Sequence, residues 1–178
     1  MGALEAYDEH YSYNDYKIWE GDWELIDGFP YAMSPKPMIK HQIVSGNIYA
    51  ELKNKINCKK CIVAMEIDYK VSEDTVVSPD VLVACGDDLG EQYLKKTPEI
   101  IFEVLSPSTA KRDKGIKYQL YEGQGIKYYI IVNSQMKTAE VYRLVDGRFI
   151  LDKHVTDDEY KFSIDDCEID FIFKSIWT

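Results

Sequence analysis

The chain of 178 residues is 46% hydrophobic and has a formal net charge of −10, which predicts one globular domain over residues 1–178 and excludes a disordered chain. The negative charge argues against sequence-independent nucleic-acid binding, because such binding relies on a basic surface. No apolar run approaches the roughly 20 residues that span a bilayer, and the first residues lack the pattern of a secretion signal, so we expect a cytoplasmic protein with no membrane partner.

The N-terminal third predicts a short helix, a β-hairpin and a long helix. SYNDYKIWE is typical of a helix capped by Ser12 or Asn14. In DWELIDGFPYAMS, an Asp-Gly pair lies between two strand-like runs and indicates a tight turn. After Pro37, apolar residues recur at near-helical spacing and predict an amphipathic helix. Its predicted apolar stripe comprises Ile39, Ile43, Ile48, Leu52 and Ile56.

The middle of the chain predicts buried strands and one further helix. CIVAMEIDYKVS, TVVSPDVLVAC and EIIFEVLS each predict a strand, and GDDLGEQYLKKT predicts a loop before the third. PSTAKRDKGIKYQLYEGQG predicts a single helix that begins at Ser108 or Thr109 and ends at Gly123 or Gly125.

The C-terminal part predicts more strands. KYYIIVN is a fourth core strand, and TAEVYRLVDGRFILDKHV is a second hairpin that turns at Asp146 and Gly147. We expect the tail, FSIDDCEIDFIFKSIW, to cover one edge of the core. The order of elements predicts an α/β or α+β fold, with a mixed sheet flanked by helices.

The four cysteines include one C-x-x-C pair, Cys58 and Cys61. A structural zinc site needs about four ligands, typically from two such pairs, and a second pair is absent from the sequence. We therefore expect reduced thiols at the start of a strand.

Two carboxylates lie at or inside predicted buried strands. Asp80 opens VLVAC, and Glu103 interrupts the apolar run of IIFEVL. A buried ionised carboxylate is costly unless it is paired, protonated or bound to a cation. If the two strands are neighbours, the carboxylates converge, and either one takes up a proton or a cation lies between them. Oxygen ligands of this kind suit Mg²⁺ or Mn²⁺.

The predicted helix after Glu103 carries a second pattern. Asp113, Lys117 and Tyr121 are spaced four residues apart and line one stripe. Lys117 could neutralise charge on a carboxylate or on a phosphate oxygen, whereas the alternative interpretation of Asp113 and Lys117 is an ordinary surface ion pair.

Other charged residues could join this group. Glu24 lies in the first hairpin and His41 on the long helix. Each could equally be a solvent-facing or structurally satisfied residue. The basic cluster Lys111, Arg112 and Lys114 could contact a nucleic-acid backbone or be a solvated helix face.

These residues resemble a known family. The stretches VVSPDVLVAC, IFEVLSPSTAKRDKGIKYQLYEGQGIKYYIIVN and AEVYRL, together with the N-terminal hairpin and long helix, look like the Uma2 family. That family is assigned to the restriction-endonuclease-like fold, the PD-(D/E)XK superfamily. The resemblance covers about Tyr11 to Leu144. It implies an αβββαβ core with the active site at one end of a mixed sheet, to which the sequence itself adds the predicted N-terminal and C-terminal hairpins.

The resemblance also implies roles for particular residues. Asp80 and Glu103 correspond to the metal-binding acids, with Glu24 and His41 nearby. The superfamily places a lysine two residues after the second acid, where this chain has Leu105. Lys117 is the expected spatial substitute, supported by Asp113 and Tyr121.

The implied activity is that of an endonuclease that hydrolyses DNA with Mg²⁺ or Mn²⁺. We expect Asp80, Glu103 and Glu24 to hold the metal and Lys117 to stabilise negative charge. A homodimer is expected, with pairing through the hairpin Ala139 to Leu151. The alternatives are a catalytically inactive nuclease-fold module for DNA binding or oligomerisation, and a phosphoesterase acting on a small substrate.

Overall fold

The computed structural model describes residues 9–33, 38–165 and 167–178. Within these ranges the strands form three sheets. The large sheet has the order β10-β9-β8-β7-β6-β3, a smaller sheet has the order β2-β1-β5-β4, and β11 pairs with β12. The strands are β1 (Trp23–Ile26), β2 (Phe29–Ala32), β3 (Cys61–Met65), β4 (Tyr69–Lys70), β5 (Val76–Val77), β6 (Val81–Cys85), β7 (Ile100–Val104), β8 (Tyr128–Asn133), β9 (Thr138–Val145), β10 (Arg148–Val155), β11 (Glu159–Ile164) and β12 (Cys167–Ile172).

The helices are α1 (Tyr13–Tyr16), α2 (Ile39–Lys55), α3 (Ala110–Asp113) and α4 (Ile116–Gly123), with a 3₁₀ turn at Phe173–Ile176. Helices α2 and α4 lie on opposite faces of the large sheet, whereas α1 contacts β1 of the smaller sheet. Strand β7 pairs in parallel with β8 and antiparallel with β6, so the sheet is mixed. The predicted mixed sheet with flanking helices and two hairpins is confirmed.

Strand β7 is buried on both faces, and its side chains alternate between two apolar layers. Ile100, Phe102 and Val104 pack in one layer with α2 and the hairpin β11–β12. On the opposite face, Ile101 packs in a layer that contains Tyr121 and Tyr129. Because side chains alternate along a strand, Glu103 points to the same face as Ile101 and therefore towards α4.

Helix α2 is confirmed, but its predicted stripe is wrong at the first turns. Ile39 and Ile43 are 81% and 44% exposed. The buried face instead comprises His41, Val44, Ser45, Ile48 and Leu52. The spacing of apolar residues predicted the wrong buried face at this end of the helix, because polar residues occupy buried positions there. Pro37, where the helix was predicted to open, lies outside the described residues.

Three predicted elements are broken in the structure. CIVAMEIDYKVS forms β3 and β4, separated by Glu66 with a positive φ of 48°. TVVSPDVLVAC forms β5 and β6, because Pro79 between them lacks the N–H that a sheet ladder needs. The helix predicted after Glu103 is two helices, α3 and α4, which break at Lys114 and Gly115.

The C-terminal tail covers a face of the sheet rather than an edge. Phe162 and Phe171 are fully buried with Phe102 of β7, and the ring centroids of Phe102 and Phe171 are 5.2 Å apart. The tail alternates buried and exposed residues in both strands, which suits a hairpin lying flat on an apolar surface.

The prediction of reduced thiols is wrong. Cys61 and Cys85 form a disulfide between directly paired positions of β3 and β6. Cys58 is joined to Cys167 of β12, 109 residues away. Disulfides are typical of oxidising compartments, so the cytoplasmic location stays a prediction. Among the helices of the described ranges, none has both the length and the apolar character needed to cross a membrane.

Candidate functional site

The two predicted acids face each other across neighbouring strands. Val81 of β6 pairs with Phe102 of β7, and in an antiparallel pair this register sets Asp80 opposite Glu103. The backbone N–H of Val104 donates to Oδ2 of Asp80 at 2.6 Å, which fixes the carboxylate at the strand entrance. His41 of α2 brings Nε2 to 3.4 Å from the same oxygen.

Lys117 lies at the centre of the acidic residues. Its side chain is 3% exposed, and Nζ is 2.6 Å from Oε1 of Glu103 and 2.9 Å from Oε1 of Glu24. Oδ1 of Asp113 is 3.7 Å from the same ammonium. One buried cation therefore faces three carboxylates, which come from β7, β1 and α3.

Glu24 is held by the backbone as well as by cations. Its Oε1 accepts a hydrogen bond from the N–H of Ser78 at 3.1 Å. Its Oε2 is buried and accepts no hydrogen bond within the described part of the chain, although Nε of Arg112 is 3.6 Å away. Oε2 is therefore a buried acceptor whose negative charge is only partly compensated, by the guanidinium of Arg112.

Tyrosine hydroxyls complete the surroundings of the acids. Tyr121 of α4 donates to Oε1 of Glu103 at 2.8 Å, and Tyr129 of β8 donates to the carbonyl oxygen of Asp113 at 2.9 Å. Both tyrosines are fully buried. They connect α3 and α4 to the sheet and so fix the helix break beneath Lys117.

Burial and charge shift the protonation of this cluster. Burial raises the pKa of Glu103 well above its usual value, against the opposing influence of Lys117. For Lys117, burial disfavours the charged form, but Glu103, Glu24 and Asp113 together outweigh it and raise the lysine pKa. Lys117 is thus a cation at neutral pH. Burial also raises the pKa of Asp113, so more than one acid of the cluster binds a proton more readily than usual.

His41 is also shifted. Burial lowers its pKa, but the Asp80 carboxylate, the backbone of Val104 and the charge of Glu66 together outweigh burial, so the pKa of His41 is raised. The other ring nitrogen, Nδ1, is buried and has no hydrogen-bond partner among the described residues. The imidazole therefore acts mainly on Asp80.

The site opens into a cavity of about 850 Å³. Asp80, Glu103, Lys117 and Arg112 are among its lining residues. Of the predicted nucleic-acid-binding residues, Lys111 and Lys114 are exposed on α3 and just after it. Arg112 instead points inward to Glu24, and its guanidinium lies 5.5 Å from the ring centre of Tyr31.

The donor set fits a Mg²⁺ ion held by two carboxylates. Asp80 and Glu103 both line the cavity, and Mg²⁺ usually binds through one or two carboxylates, with waters and substrate phosphates in the other positions. Within residues 9–33, 38–165 and 167–178, no three His, Cys, Asp or Glu side chains are grouped to hold a metal by themselves. Lys117, rather than a third ligand, occupies the space beside Glu24.

The sequence interpretation missed some residues of the site. The ion pair between Arg112 and Glu24 joins residues that are far apart in sequence, so spacing gave no signal for it. Tyr16 and Asp68, whose hydroxyl and Oδ1 are 3.0 Å apart, also line the cavity. A polar residue between apolar ones in MEIDYK was the available signal for Asp68.

Comparisons with known proteins agree with this architecture. The family model described as "Uma2: Putative restriction endonuclease" matches residues 13–163. The uncharacterized protein slr1290 of Synechocystis sp. (strain PCC 6803) is 30% identical over 129 residues, which is 69% of this chain and 66% of that protein, just under two thirds of its length. A solved structure from Anabaena variabilis, titled a "putative nuclease belonging to DUF820", has a TM-score of 0.69 at 15% identity, covering 94% of this chain and 97% of that one. At that identity, the structural likeness shows the fold alone.

Proposed function

The chain belongs to the Uma2 family, whose description is "Putative restriction endonuclease", and we propose that it is a metal-dependent endonuclease that hydrolyses phosphodiester bonds of DNA. The observation that carries the proposal is the pairing of Asp80 and Glu103 across β6 and β7, with Lys117 Nζ 2.6 Å from Glu103. Two acids and a cation at one end of a mixed sheet can bind a phosphodiester and stabilise the charge that develops on it.

In this proposal Asp80 and Glu103 hold Mg²⁺ or Mn²⁺. The ion would supply Lewis-acid activation of water and of a phosphate oxygen. Binding of a divalent cation favours the ionised form of Glu103, because opposite charge offsets the burial that raises its pKa. The cation and the proton therefore compete for the same carboxylate.

The other residues position and charge this pair. Glu24 and Asp113 keep Lys117 ionised, so that its ammonium can donate to a phosphate oxygen as negative charge develops. His41 and the N–H of Val104 orient the Asp80 carboxylate. Tyr121 orients Glu103 from the side of α4.

Nicking of supercoiled plasmid DNA tests the proposal. We expect Mg²⁺- or Mn²⁺-dependent nicking that is lost in the double variant Asp80→Ala and Glu103→Ala. Asp87→Ala is the matched control, since Asp87 is an exposed acid whose carboxylate pairs with Lys60. Nicking that survives the double substitution would overturn the assignment of these acids.

A second candidate is a catalytically inactive nuclease-fold module for DNA binding or oligomerisation. It is favoured by the ammonium of Lys117, which already neutralises part of the acidic group. Calorimetric titration with Mn²⁺ separates the two. Binding that is lost in Glu103→Gln supports the enzyme, and a wild-type protein that binds no metal supports the module.

We also propose a homodimer that forms through the outer edge of the large sheet. Strand β10 has its outer edge unpaired in the described part of the chain, and Ile150 and Leu151 on it are 42% and 45% exposed. A register shift after Leu151 restricts edge pairing to Arg148–Leu151. Light scattering gives the mass, and Ile150→Lys is expected to yield monomers.

A further inference from the structure

A wall of aromatic rings lies in the same cavity as the acids. Tyr13, Tyr16, Trp19 and Trp23 all line it. The ring centroids of Tyr16 and Trp19 are 5.7 Å apart, and those of Trp19 and Trp23 are also 5.7 Å apart. These four rings come from α1, the turn after it and β1, and we call them the aromatic wall.

Two rings of the aromatic wall are fixed in place by hydrogen bonds. The single hydroxyl proton of Tyr16 is shared between the carbonyl oxygen of Trp23 at 3.1 Å and Oδ1 of Asp68 at 3.0 Å. Nε1 of Trp23 donates to the carbonyl oxygen of Glu20 at 2.8 Å. Trp19 packs between these two rings, so it needs little ordering when a ligand binds, which reduces the entropic cost of association.

Packing of α1 onto the hairpin explains only part of this arrangement. Rings that serve only as a core become fully buried, as Tyr121 and Tyr129 are. Every member of the aromatic wall instead stays partly exposed, and all four face a cavity that they share with charged residues. The ring of Trp19 is inclined at 64° to that of Tyr16 and at 66° to that of Trp23, so the rings form an angled apolar surface. Such a surface beside cations and acids suits a ligand with an aromatic ring and a phosphate.

The burial of the acids restricts the shape of that ligand. Glu103 and Lys117 are 3% and 2% exposed, and the cavity of about 850 Å³ can hold one or two nucleotides rather than a duplex. A flexible single strand can bring a phosphodiester to such buried side chains more readily than a rigid duplex can, because its bases are not held against a second strand.

The net charge also favours an unpaired strand over a duplex as the ligand. At −10, the chain lacks the broad basic footprint with which proteins hold duplex backbones. Unpaired strands can be held differently, because stacking on aromatic side chains contributes affinity whatever the base. Lys17, which also lines the cavity, is exposed beside the wall and can meet a phosphate.

We propose that the aromatic wall stacks an unpaired base of the substrate and that the site therefore acts on single-stranded or unpaired segments of nucleic acid. This inference rests on the proposed nuclease function and names its substrate class. Stacking on Trp19, with the inclined ring of Trp23 against the edge of the base, would hold one nucleotide while the adjacent phosphodiester lies between Asp80 and Lys117.

Binding without metal tests this inference separately from hydrolysis. Labelled short single strands of DNA and of RNA, and a DNA hairpin duplex with the same sequence, are titrated in the presence of a chelator. We expect a single strand to bind at least about tenfold more tightly than the duplex. Trp19→Ala should weaken that binding by about tenfold, while Trp19→Phe, which retains a ring, should keep most of it.

Controls separate stacking from folding. Trp177→Phe removes a tryptophan that lies outside the cavity lining and should leave binding unchanged. Thermal unfolding shows whether Trp19→Ala remains folded. If it does not, quenching of intrinsic fluorescence by the single strand is compared between Trp19→Phe and Trp177→Phe, and a smaller quench in Trp19→Phe alone supports the inference.

The outcomes distinguish the two proposals. Equal affinity for strand and duplex, or a folded Trp19→Ala variant with wild-type affinity, overturns the stacking inference even if plasmid is nicked. Preferential binding of single strands that depends on Trp19, without any hydrolysis in metal, supports stacking and overturns the nuclease. The natural polymer is then identified by which single strand, DNA or RNA, the protein binds more tightly.

Discussion

Lys117 is the residue whose ammonium group compensates the buried carboxylates of the site. It contacts Glu103 and Glu24 directly and Asp113 at longer range. Removal of one partner from a buried ion pair leaves an uncompensated charge, which costs far more than the intact pair contributes. Lys117 therefore has a structural effect that can be measured independently of any catalysis.

We expect Lys117→Met to lower the free energy of unfolding by about 3–5 kcal/mol, because Glu24 and Glu103 lose their shared cation. Urea denaturation at neutral pH measures the change. Lys111→Met is the matched control, since Lys111 is exposed on α3, and should change stability by less than about 0.5 kcal/mol. Equal losses in the two variants would contradict the buried role of Lys117.

His41 makes stability depend on pH. Burial opposes the charged form, but Asp80, with smaller effects of Val104 and Glu66, raises the folded pKa above the unfolded value of about 6.5, so the folded state binds the proton more tightly. The stabilisation is fully present below about pH 6.5 and is lost as the pH rises through the folded pKa.

Wild type and His41→Gln should therefore differ most in unfolding free energy near about pH 6, and the difference should shrink towards about pH 9. Urea denaturation of the metal-free protein across this range measures it. His154→Gln, on the exposed side of β10, is the control, with a change within about 0.5 kcal/mol. A difference that grows with pH would contradict the assignment.

Single residues differed in how far their sequence predicted them. Glu103 was conspicuous because a carboxylate inside an apolar run demands compensation. Arg112 was not, because its position beside Lys111 and Lys114 looked like a solvated basic face, and only the tertiary contact with Glu24 shows its direction. The metal-binding roles of Asp80, Glu103 and Glu24 stay predictions.

Among the elements, the break between α3 and α4 positions the charged stripe. Asp113 ends α3 and Lys117 lies in the first turn of α4. Gly115 between them has φ −114° and ψ −98°, and a Cβ there would lie 2.9 Å from the carbonyl oxygen of Lys111. The close approach of backbone explains why glycine occupies the break.

We expect Gly115→Ala to lower the free energy of unfolding by about 1 kcal/mol or more, because the backbone must shift to relieve this contact. Gly123→Ala is the matched substitution in α4. A Cβ at Gly123 meets no atom within 4 Å, so Gly123→Ala should raise the free energy of unfolding by about 0.4–1 kcal/mol. Urea denaturation compares them, and a stabilised Gly115→Ala protein would refute the explanation.

Element types were predictable from the sequence, whereas element breaks were less so. The Asp-Gly turns of both hairpins matched because glycine and aspartate accept the positive φ that tight turns need. The break at Glu66 was not visible, because its N–H is satisfied by the carbonyl oxygens of Pro79 and Asp80. Such contacts between distant segments leave no local pattern.

At the scale of the whole molecule, the net charge of −10 predicts weak salt dependence of nucleic-acid binding. Each phosphate neutralised on a single strand contributes about −0.7 to the slope of log affinity against log salt. Lys111 and Lys114 are exposed and free to contact phosphates beside the site, although Lys114 lies 4.0 Å from Glu140.

We expect the double variant Lys111→Gln and Lys114→Gln to make this slope shallower by about 1.4 for a single-stranded oligonucleotide. Titrations at several salt concentrations measure it. Lys59→Gln is the control, since this exposed lysine precedes β3 at the end of the sheet away from Asp80. An unchanged slope in the double variant would remove these lysines from the interface.

The class of fold followed from the order of elements and from the family resemblance, and it is confirmed. The single-domain organisation over residues 1–178 stays a prediction. The cysteine pairing was inaccessible, because connectivity depends on which strands become neighbours and a spacing of 109 residues gives no local signal.

The bond between Cys58 and Cys167 closes most of the chain into a covalent ring. Asp80 and Glu103 lie inside it on opposite sides of the loop 86–98, where Lys95 and Lys96 are exposed to trypsin. The second disulfide, Cys61–Cys85, lies wholly on the N-terminal side of that loop. A cut in the loop would therefore leave two pieces joined by one bond.

On a denaturing gel, we expect the nicked protein to migrate as one species without reductant and as two fragments with it. Fragments that separate without reductant would contradict the Cys58–Cys167 pairing. One fragment would carry Glu24, His41 and Asp80, and the other Glu103 and Lys117. In the nicked protein, the disulfide thus tethers two fragments that each carry half of the site. Reduction of the nicked protein would test whether packing alone can hold the two halves together.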